Sequence, residues 1–409
     1  TVEAIDGSGN RSQPSAPASA RTAAADTTPP AAPTGLVATA NGPNRIDLAW
    51  SGPADADVAG YRVYRGGAQV GATTGASARS FSETGLTPDT LYSYTVEAID
   101  GSGNRSQPSA PASARTAAGG SDPVIAAAGD IACGNGYIGN YCVQMQTSDQ
   151  IIQMNPVAVL ALGDIQYEQG AYADYMDSSS NVKVGYDKSW GRFKAKTYPA
   201  IGNHEYITPV ADNYLKYWSD YAARRGPWSA LAGNPVKGYY SFDVGAWHLI
   251  SFNSNCGQLS CAKGGEQETW IKNDLAAHPN RCTLAFAHHP FRNSFFETSK
   301  EPRWPDIFQT FYDAGVDLVL VGHAHNYERT APMNPAGGID RTRGVRTFVV
   351  GTGGKGPAGA SATPQPFSEA HAGGTLGVMK LTLHPAGYDW DFRGLPSTPF
   401  VDMGAGSCH

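Results

Sequence analysis

The chain has 409 residues and a formal net charge of -6, with acidic and basic residues interspersed. It is long enough for two or three domains and offers no basic field that would attract nucleic acid phosphates. No apolar run approaches the roughly 18 residues of a membrane-spanning helix, so we expect neither a nucleic acid partner nor a membrane span.

The chain opens with a repeated segment. Residues 1–24, TVEAIDGSGNRSQPSAPASARTAA, recur letter for letter at 95–118. Internal repeats indicate tandem modules, so we interpret residues 1–25 as the tail of a preceding module. A strand without its own sheet is expected to be disordered or to pair with another chain.

Residues 26–116 predict an all-β module. Short alternating runs are separated by Gly, Pro, Asn and Asp turns, and the segment has no His or Cys. The predicted strands are 45–50, 60–64, 79–83 and 91–98. The entry DTTPPAAPTGL, Trp50 and the stretch LTPDTLY ending at Tyr92 resemble a fibronectin type III domain, an immunoglobulin-like sandwich. The resemblance implies packing roles for Trp50 and Tyr92, and a spacer or an arm that contacts a cell surface or matrix.

Residues 117–123, AAGGSDP, predict a short flexible linker. Strand and helix patterns then alternate, which is typical of an α/β layer fold. The apolar spacing predicts helices over 267–277 and 305–314 and a hairpin of strands 239–242 and 247–252.

Five apolar strand candidates in this region end directly before Asp, Asn, His or Tyr. They cover residues 124–128, 157–162, 198–201, 283–287 and 318–321, and they lead into GD, GDIQY, GNHE, HHP and GHAHNYER. Open α/β sheets bind ligands at the carboxyl ends of their parallel strands. Strands that only build a core have no need to end in metal-binding residues, whereas strands that lead into one site do. The pattern therefore predicts one shared site.

The five motifs, in this order, resemble the metallophosphoesterase superfamily. The tyrosine of GDIQY and the GHAHNYER tail resemble its purple acid phosphatase branch, and the similarity covers roughly residues 124–394. The resemblance implies a four-layer αββα sandwich over 124–409. It also implies a secreted phosphatase with two metal ions that hydrolyses small-molecule phosphomonoesters by attack of a metal-bound hydroxide. Two alternatives stay open: a phosphodiesterase with the same site, and a non-catalytic surface or matrix protein with a vestigial esterase domain.

The resemblance implies seven metal ligands in two sets. The first set, for Fe(III), is Asp130, Tyr167 and His325; the second, for divalent Zn, Mn or Fe, is Asn203, His288 and His323; Asp164 bridges the two. Carboxylates with an ionisable phenol suit a hard trivalent ion, and an amide with two imidazoles suits a divalent one. Many superfamily members carry Asp-x-His in the first motif, whereas this chain has Ala132, so Tyr167 is expected to take that coordination place.

The substrate residues are implied less directly. His204 resembles the phosphate-contacting histidine and is a candidate general acid, with the alternative that it only orients a ligand. Asn203 is expected to contact the substrate as well. His289 would either contact phosphate or orient His288. Arg292 is a candidate clamp for phosphoryl oxygens or a partner in a surface ion pair.

Two further expectations concern the motif tails. Residues 291–297 lack the paired histidines of the plant enzymes, which leaves the leaving-group acid open. Tyr327, Glu328 and Arg329 are expected to support the His-x-His turn. His248, His371 and His384 lie outside the motifs and are interpreted as structural.

The cysteines predict disulfides and an oxidising, extracellular compartment, because their number is even and some lie close together. Six cysteines allow fifteen connectivities, and the alternative is six free thiols. The pairing that closes two short loops and ties the C-terminus to a core strand is Cys133 with Cys142, Cys256 with Cys261, and Cys282 with Cys408.

Overall fold

The computed structural model describes residues 1–21, 24–117, 122–134, 142–177, 184–222, 231–279, 282–295, 303–356 and 363–409. The chain divides into two compact units, Thr1–Gly119 and Gly120–His409. Residues 118–121 of the predicted linker lie outside the described residues, as do residues 296 and 297 of the stretch that follows the HHP motif.

The first unit is the predicted all-β sandwich. Its strands are β1 (Thr34–Ala40), β2 (Ile46–Ser51), β3 (Val58–Arg65), β4 (Ala68–Thr74), β5 (Ser80–Glu83), β6 (Leu91–Asp100) and β7 (Ala112–Arg115). They form a three-stranded sheet, β1-β2-β5, and a four-stranded sheet, β4-β3-β6-β7. Trp50 is buried and packs edge-on against Tyr61 at 5.4 Å. The Thr87 N–H donates to the Tyr92 hydroxyl at 2.9 Å, which closes the predicted tyrosine corner.

The repeated segment keeps its local hydrogen bonds in both copies. The Val2 N–H donates to Ser15 Oγ at 3.0 Å, and the Val96 N–H donates to Ser109 Oγ at 3.1 Å. Their surroundings differ, because Val96 is buried in the sandwich core whereas Val2 is 77% exposed. The conformation that brings Val2 to Ser15, and Val96 to Ser109, is therefore determined by the sequence of the repeat itself.

The second unit contains fourteen strands and five α-helices within its described residues. The strands are β8 (Val124–Ala128), β9 (Ala158–Ala161), β10 (Thr197–Pro199), β11 (Ala232–Asn234), β12 (Tyr239–Val244), β13 (Trp247–Ser251), β14 (Cys282–Phe286), β15 (Leu318–Val321), β16 (Asn326–Thr330), β17 (Arg346–Val350), β18 (Ser368–Gly373), β19 (Gly377–His384), β20 (Gly387–Gly394) and β21 (Val401–Ser407). The helices are α1 (Gln144–Met154), α2 (Tyr172–Tyr175), α3 (Asp212–Ala222), α4 (Glu266–Ala277) and α5 (Pro305–Ala314).

The strands form two packed sheets. One has the order β10-β9-β8-β19-β20-β21, with β8, β9 and β10 parallel, and the other has the order β11-β12-β13-β14-β15-β17-β16-β18, with β13, β14, β15 and β17 parallel. Side chains alternate along β15: Leu318 and Leu320 belong to the core that both sheets share, whereas Val319 and Val321 pack into the core that α4 and α5 cover. Helix α1 contacts β8 and β19 on the outer side of the first sheet. The predicted four-layer αββα arrangement is confirmed.

The local sequence explains where the second outer helix begins and ends. Helix α5 spans the predicted residues, with Pro305 in its first turn. It stops at Gly315, whose φ of +74° lies in the left-handed region that favours glycine.

The predicted disulfide pairing is confirmed in full. The bonds join Cys133 with Cys142, Cys256 with Cys261, and Cys282 with Cys408. Among the helices in the described ranges, none combines the length and the apolar character needed to cross a bilayer.

Candidate metal centre

The seven predicted ligands lie together, where parallel strands of both sheets end. Strand β8 leads into Asp130, β9 into Asp164 and Tyr167, β10 into Asn203, β14 into His288, and β15 into His323 and His325. Each motif contributes a turn directly after a buried strand. The packing of two parallel-strand edges therefore assembles groups that are far apart in sequence.

The first predicted set is centred on the phenol of Tyr167. Its Oη lies 2.6 Å from Asp130 Oδ1, 3.0 Å from Asp164 Oδ2 and 2.9 Å from His325 Nε2. His325 Nε2 also lies 3.1 Å from Asp130 Oδ1. His325 Nδ1–H donates to the carbonyl of Gly356 at 2.9 Å, which turns Nε2 toward the other three groups.

The second predicted set surrounds His288. Its Nε2 lies 3.1 Å from Asn203 Oδ1, 3.2 Å from His323 Nδ1 and 3.2 Å from Asp164 Oδ2. His288 Nδ1–H donates to the Leu162 carbonyl at 2.9 Å and so fixes the ring. Asp164 Oδ2 faces both sets, the position predicted for a bridging carboxylate.

The backbone is strained where the ligands sit. Asp130, Asp164 and His323 have φ angles of +58°, +46° and +69°, in the left-handed region that non-glycine residues seldom occupy. Such conformations cluster at functional sites. The neighbouring Gly202 is required by close approach, because a Cβ there would lie 2.1 Å from Asp164 Oδ1.

The charges of the buried groups balance one another. Burial by itself would raise the pKa of both Asp130 and Asp164, but His325 and His288 respectively hold these pKa values below their ordinary range. Burial lowers the pKa of His288, yet the two carboxylates outweigh it and raise that pKa to about 9. Burial and the two carboxylates raise the pKa of Tyr167 well above its usual value. The two carboxylates thus favour the protonated forms of Tyr167 and His288, and bound cations can replace these protons.

The spacing of the donor atoms fits bound cations. Nitrogen and oxygen ligands lie about 2.0–2.2 Å from a transition metal such as zinc, which places neighbouring donors on one ion about 3 Å apart. The donor contacts within the two sets span 2.6–3.2 Å. Ligand atoms of the buried Asp130, Asp164 and His288 also lie within 4.8 Å of one another, as do those of the buried His288 and His289 and the partly buried His323.

His204 and His289 flank the two sets. The His204 ring packs on Tyr167 with centroids 4.4 Å apart, and its Nδ1–H donates to the Glu168 carbonyl, so its Nε2 lies on the side of Asp164, 3.9 Å from Oδ2. His289 is buried, and its Nδ1 lies 3.0 Å from Ser254 Oγ. Burial, together with His288 and His323, lowers the pKa of His289 well below its ordinary value.

Arg292 lies near the turn that contains Gly337. Its guanidinium carbon is 5.6 Å from the Phe291 ring, and a Cβ at Gly337 would meet Arg292 Nε at 2.9 Å. Its assignment to the substrate stays a prediction.

Sequence reasoning missed Glu205 as a support for two of these turns. Glu205 is 1% exposed and accepts the N–H groups of Asp164, Ile165 and Gly202 at 2.8–2.9 Å. One carboxyl group therefore joins the turn after β9 to the turn after β10. The GNHE motif contained the residue, but its three partners are backbone groups that a sequence pattern does not reveal.

Sequence reasoning also missed a sixth strand end, residues 351–356, with the sequence GTGGKG. The segment follows β17, and the Lys355 N–H donates to the Asp130 carbonyl at 2.9 Å. Like four of the other five, it is an apolar strand followed by glycine. No His, Asp or Asn follows the strand, so the pattern was passed over.

The tail of the last motif contacts other elements than expected. Tyr327 Oη donates to Asp402 Oδ2 at 2.6 Å, and Arg329 pairs with Asp402 and Glu369. Glu328 is fully buried and accepts the Ser294 N–H at 2.9 Å. These side chains therefore fasten the neighbouring loop and strands.

The two packed sheets, with donor side chains at the ends of their parallel strands, have the arrangement expected from the phosphoesterase motifs. The model of the calcineurin-like phosphoesterase family matches residues 123–327, half of the chain, and residues 31–115 match the fibronectin type III domain. The chain belongs to the calcineurin-like phosphoesterase family.

Several known proteins are similar to parts of the chain. Purple acid phosphatase 23 of Arabidopsis thaliana is 27% identical over 210 residues, which are 45% of this chain and 44% of the relative. Exoglucanase B of Cellulomonas fimi is 42% identical over 122 residues, 28% of this chain and 11% of that enzyme. The chain thus spans less than half the length of these relatives. The structure of a purple acid phosphatase from yellow lupin (Lupinus luteus) seeds shares the fold, with a TM-score of 0.53, 21% identity, and coverage of 90% of this chain and 73% of the other.

Proposed function

We propose that the second unit is a phosphomonoesterase of the purple acid phosphatase type with two metal ions. The observation that carries the proposal is the position of Asp164, whose Oδ2 faces Tyr167 at 3.0 Å and His288 at 3.2 Å. One carboxylate thus joins two donor sets that differ in chemistry. Asp130, Tyr167 and His325 would hold Fe(III), and Asn203, His288 and His323 would hold divalent Zn, Mn or Fe. When bound, the two ions would supply an activated water and neutralise phosphoryl oxygens.

His204 is the side chain that we assign to proton transfer. Its Nδ1–H is used by the Glu168 carbonyl, and 25% of its side chain is exposed, so Nε2 can meet a substrate that enters from solvent. A protonated Nε2 would donate to the leaving oxygen. The His204 N–H donates to Asp164 Oδ1 at 2.8 Å, which keeps the imidazole beside the bridging carboxylate.

His289 is assigned a different role. Burial, together with His288 and His323, lowers its pKa and so favours the neutral ring, and we do not assign it the proton transfer. Ser254 Oγ accepts the His289 N–H at 2.8 Å and lies 3.0 Å from Nδ1, which fixes the ring between His288 and His323. A neutral, fixed imidazole there can contact a phosphoryl oxygen. The Asn203 amide, whose Oδ1 lies 3.1 Å from His288 Nε2, is assigned a substrate contact as well.

We further propose that the protein works outside the cell. Three disulfides support this, because such bonds persist in oxidising compartments. Small-molecule phosphate esters would be the substrates. The fibronectin type III domain would act as a spacer or as a contact with a surface or matrix.

The test combines metal analysis with one substitution in each class of ligand. We expect two metal ions per chain and a visible absorption band in the iron-loaded protein, because a phenolate on Fe(III) absorbs visible light. Tyr167→Phe should abolish the band. Asp164→Asn should lower the affinity for both metal ions and remove most of the activity. A colourless iron-loaded protein, or a band that survives in Tyr167→Phe, would show that Tyr167 is not a ligand.

A substrate panel separates the remaining functions. We expect aryl phosphomonoesters to be hydrolysed much faster than the matched diesters. Preferential cleavage of the diesters would make the protein a phosphodiesterase. Absence of both bound metal and hydrolysis would leave a non-catalytic surface or matrix protein.

A further inference from the structure

Residues 351–356, which we call the glycine-rich segment, contact every member of the first donor set. Gly351 lies against the carboxylate of Asp130, since a Cβ there would be 2.9 Å from Oδ2. The Lys355 N–H donates to the Asp130 carbonyl at 2.9 Å, and the Gly356 carbonyl accepts from His325. The glycines allow this close approach of one backbone to another. Lys355 is the one charged residue of the segment.

The Lys355 side chain lies over the phenol ring. Its ammonium group is 4.7 Å from the Tyr167 ring centroid, and only 8% of the side chain is exposed. The ammonium also pairs with Glu168 Oε1, on a carboxylate that is 53% exposed. The charge is thus held between a buried ring and a partly hydrated counter-ion.

An ammonium at this distance attracts the electrons of an aromatic ring. The attraction is stronger when the ring is ionised, because a full negative charge then faces the cation at low dielectric. Electron density drawn toward Lys355 is no longer available at Tyr167 Oη. A cation bound at Oη would therefore receive less charge from the phenolate, while Glu168 offsets part of this effect.

We propose that Lys355 is a positioning residue of the first donor set: its charge fixes the Tyr167 ring and limits the electron donation of the phenolate to the bound ion. The inference rests on the proposed binding of iron by Tyr167. The opposite charges of Lys355 and Glu168 adjust this donation in opposite directions.

The test is the position of the visible band in the iron-loaded full chain. Lys355→Met should move the band to longer wavelength, because loss of the cation raises the energy of the phenolate electrons. Glu168→Gln should move it to shorter wavelength, because the ammonium is then uncompensated. Lys355→Arg should keep the band near its original position. Lys194→Met is the matched control, since Lys194 lies 3.3 Å from the Tyr217 centroid, in a cation–aromatic pair outside the donor sets.

The outcomes separate this inference from the function on which it rests. A coloured original protein with unmoved bands in Lys355→Met and Glu168→Gln overturns the role of Lys355 alone. Band shifts in the same direction for both variants also overturn it. An effect of charge must change direction when a negative group is removed instead of a positive one, whereas a structural disturbance need not. A colourless original protein refutes the iron–Tyr167 assignment and this inference with it. Should Lys355→Met fail to fold, Glu168→Gln decides the question from a half-exposed position.

Discussion

Glu205 offers the sharpest test of how the two donor sets are held together. Its carboxyl group accepts three backbone N–H bonds, from Asp164 and Gly202 to Oε2 and from Ile165 to Oε1. Glu205→Leu leaves all three buried donors without an acceptor. At about 1–3 kcal/mol for each unsatisfied group, the expected loss of unfolding free energy is about 3–9 kcal/mol.

Glu205→Gln separates the shape of the side chain from its charge. Burial and the charge of Asp164 raise the pKa of Glu205 to about 8, so in the metal-free protein at neutral pH a neutral isostere resembles the native group. The amide oxygen can keep the two bonds at the Oε2 position, while its NH2 group faces the Ile165 N–H. We expect a loss of about 1–3 kcal/mol, equivalent to about 2–4 °C in Tm for each kcal/mol.

The assay is calorimetric Tm together with metal content. Asp317→Leu is the control, because Asp317 is also buried and accepts two backbone N–H bonds, one from Thr283 near the start of β14 and one from His409, which follows β21. Both leucine variants should lower Tm, but only Glu205→Leu should lower metal content at temperatures where each protein is folded. Equal metal loss in the two variants, or an unchanged Tm in Glu205→Leu, would refute the reasoning.

Three further predictions follow from the same contacts. Because burial and Asp164 raise the pKa of Glu205 from 4.5 to about 8, the stabilisation by its protonated carboxyl group is complete below pH about 4.5 and is lost as pH rises through 8. The Tm difference between the metal-free protein and Glu205→Gln should therefore shrink across that window, and a constant difference would contradict the assignment. His204→Ala should keep both metals and lower kcat by about 10²–10⁴-fold for poor leaving groups, with a smaller loss for good ones; a uniform loss with metal depletion would make His204 a structural support. Deletion of residues 1–119 should leave kcat and KM for small esters nearly unchanged, because all seven predicted ligands lie in the second unit; a large loss would show that the first unit acts on the site.

Residues whose own side chains are typical metal ligands were predictable from the sequence. Asp130, Asp164, His288 and His323 follow short apolar strands, and a strand end limits where a side chain can go. The exchange at Ala132 was also interpretable, because Tyr167 offers a donor where a histidine is missing. The structure links these two positions directly, since the Tyr167 N–H donates to the Ala132 carbonyl at 2.8 Å.

Residues that act through backbone groups were not predictable in the same way. Glu205 was visible in the motif, but its three acceptor bonds depend on the spacing of two turns in the folded chain. Ser254 contacts His289 although the two residues are 35 positions apart. No local pattern contains such a pair, because the parallel pairing of β13 with β14 creates it.

Strand order explains both why Tyr327 and Arg329 contact Asp402 and why the glycine-rich segment was missed. Along the chain β16 directly follows β15, but the two strands are not neighbours in the sheet. In the sheet, β17 pairs in parallel with β15, and β16 pairs antiparallel with β17 on its far side. The carboxyl end of β17 therefore reaches the site and carries Lys355 to Tyr167. Strand β16 runs away from the site, so Tyr327 and Arg329 meet Asp402 instead of the His-x-His turn.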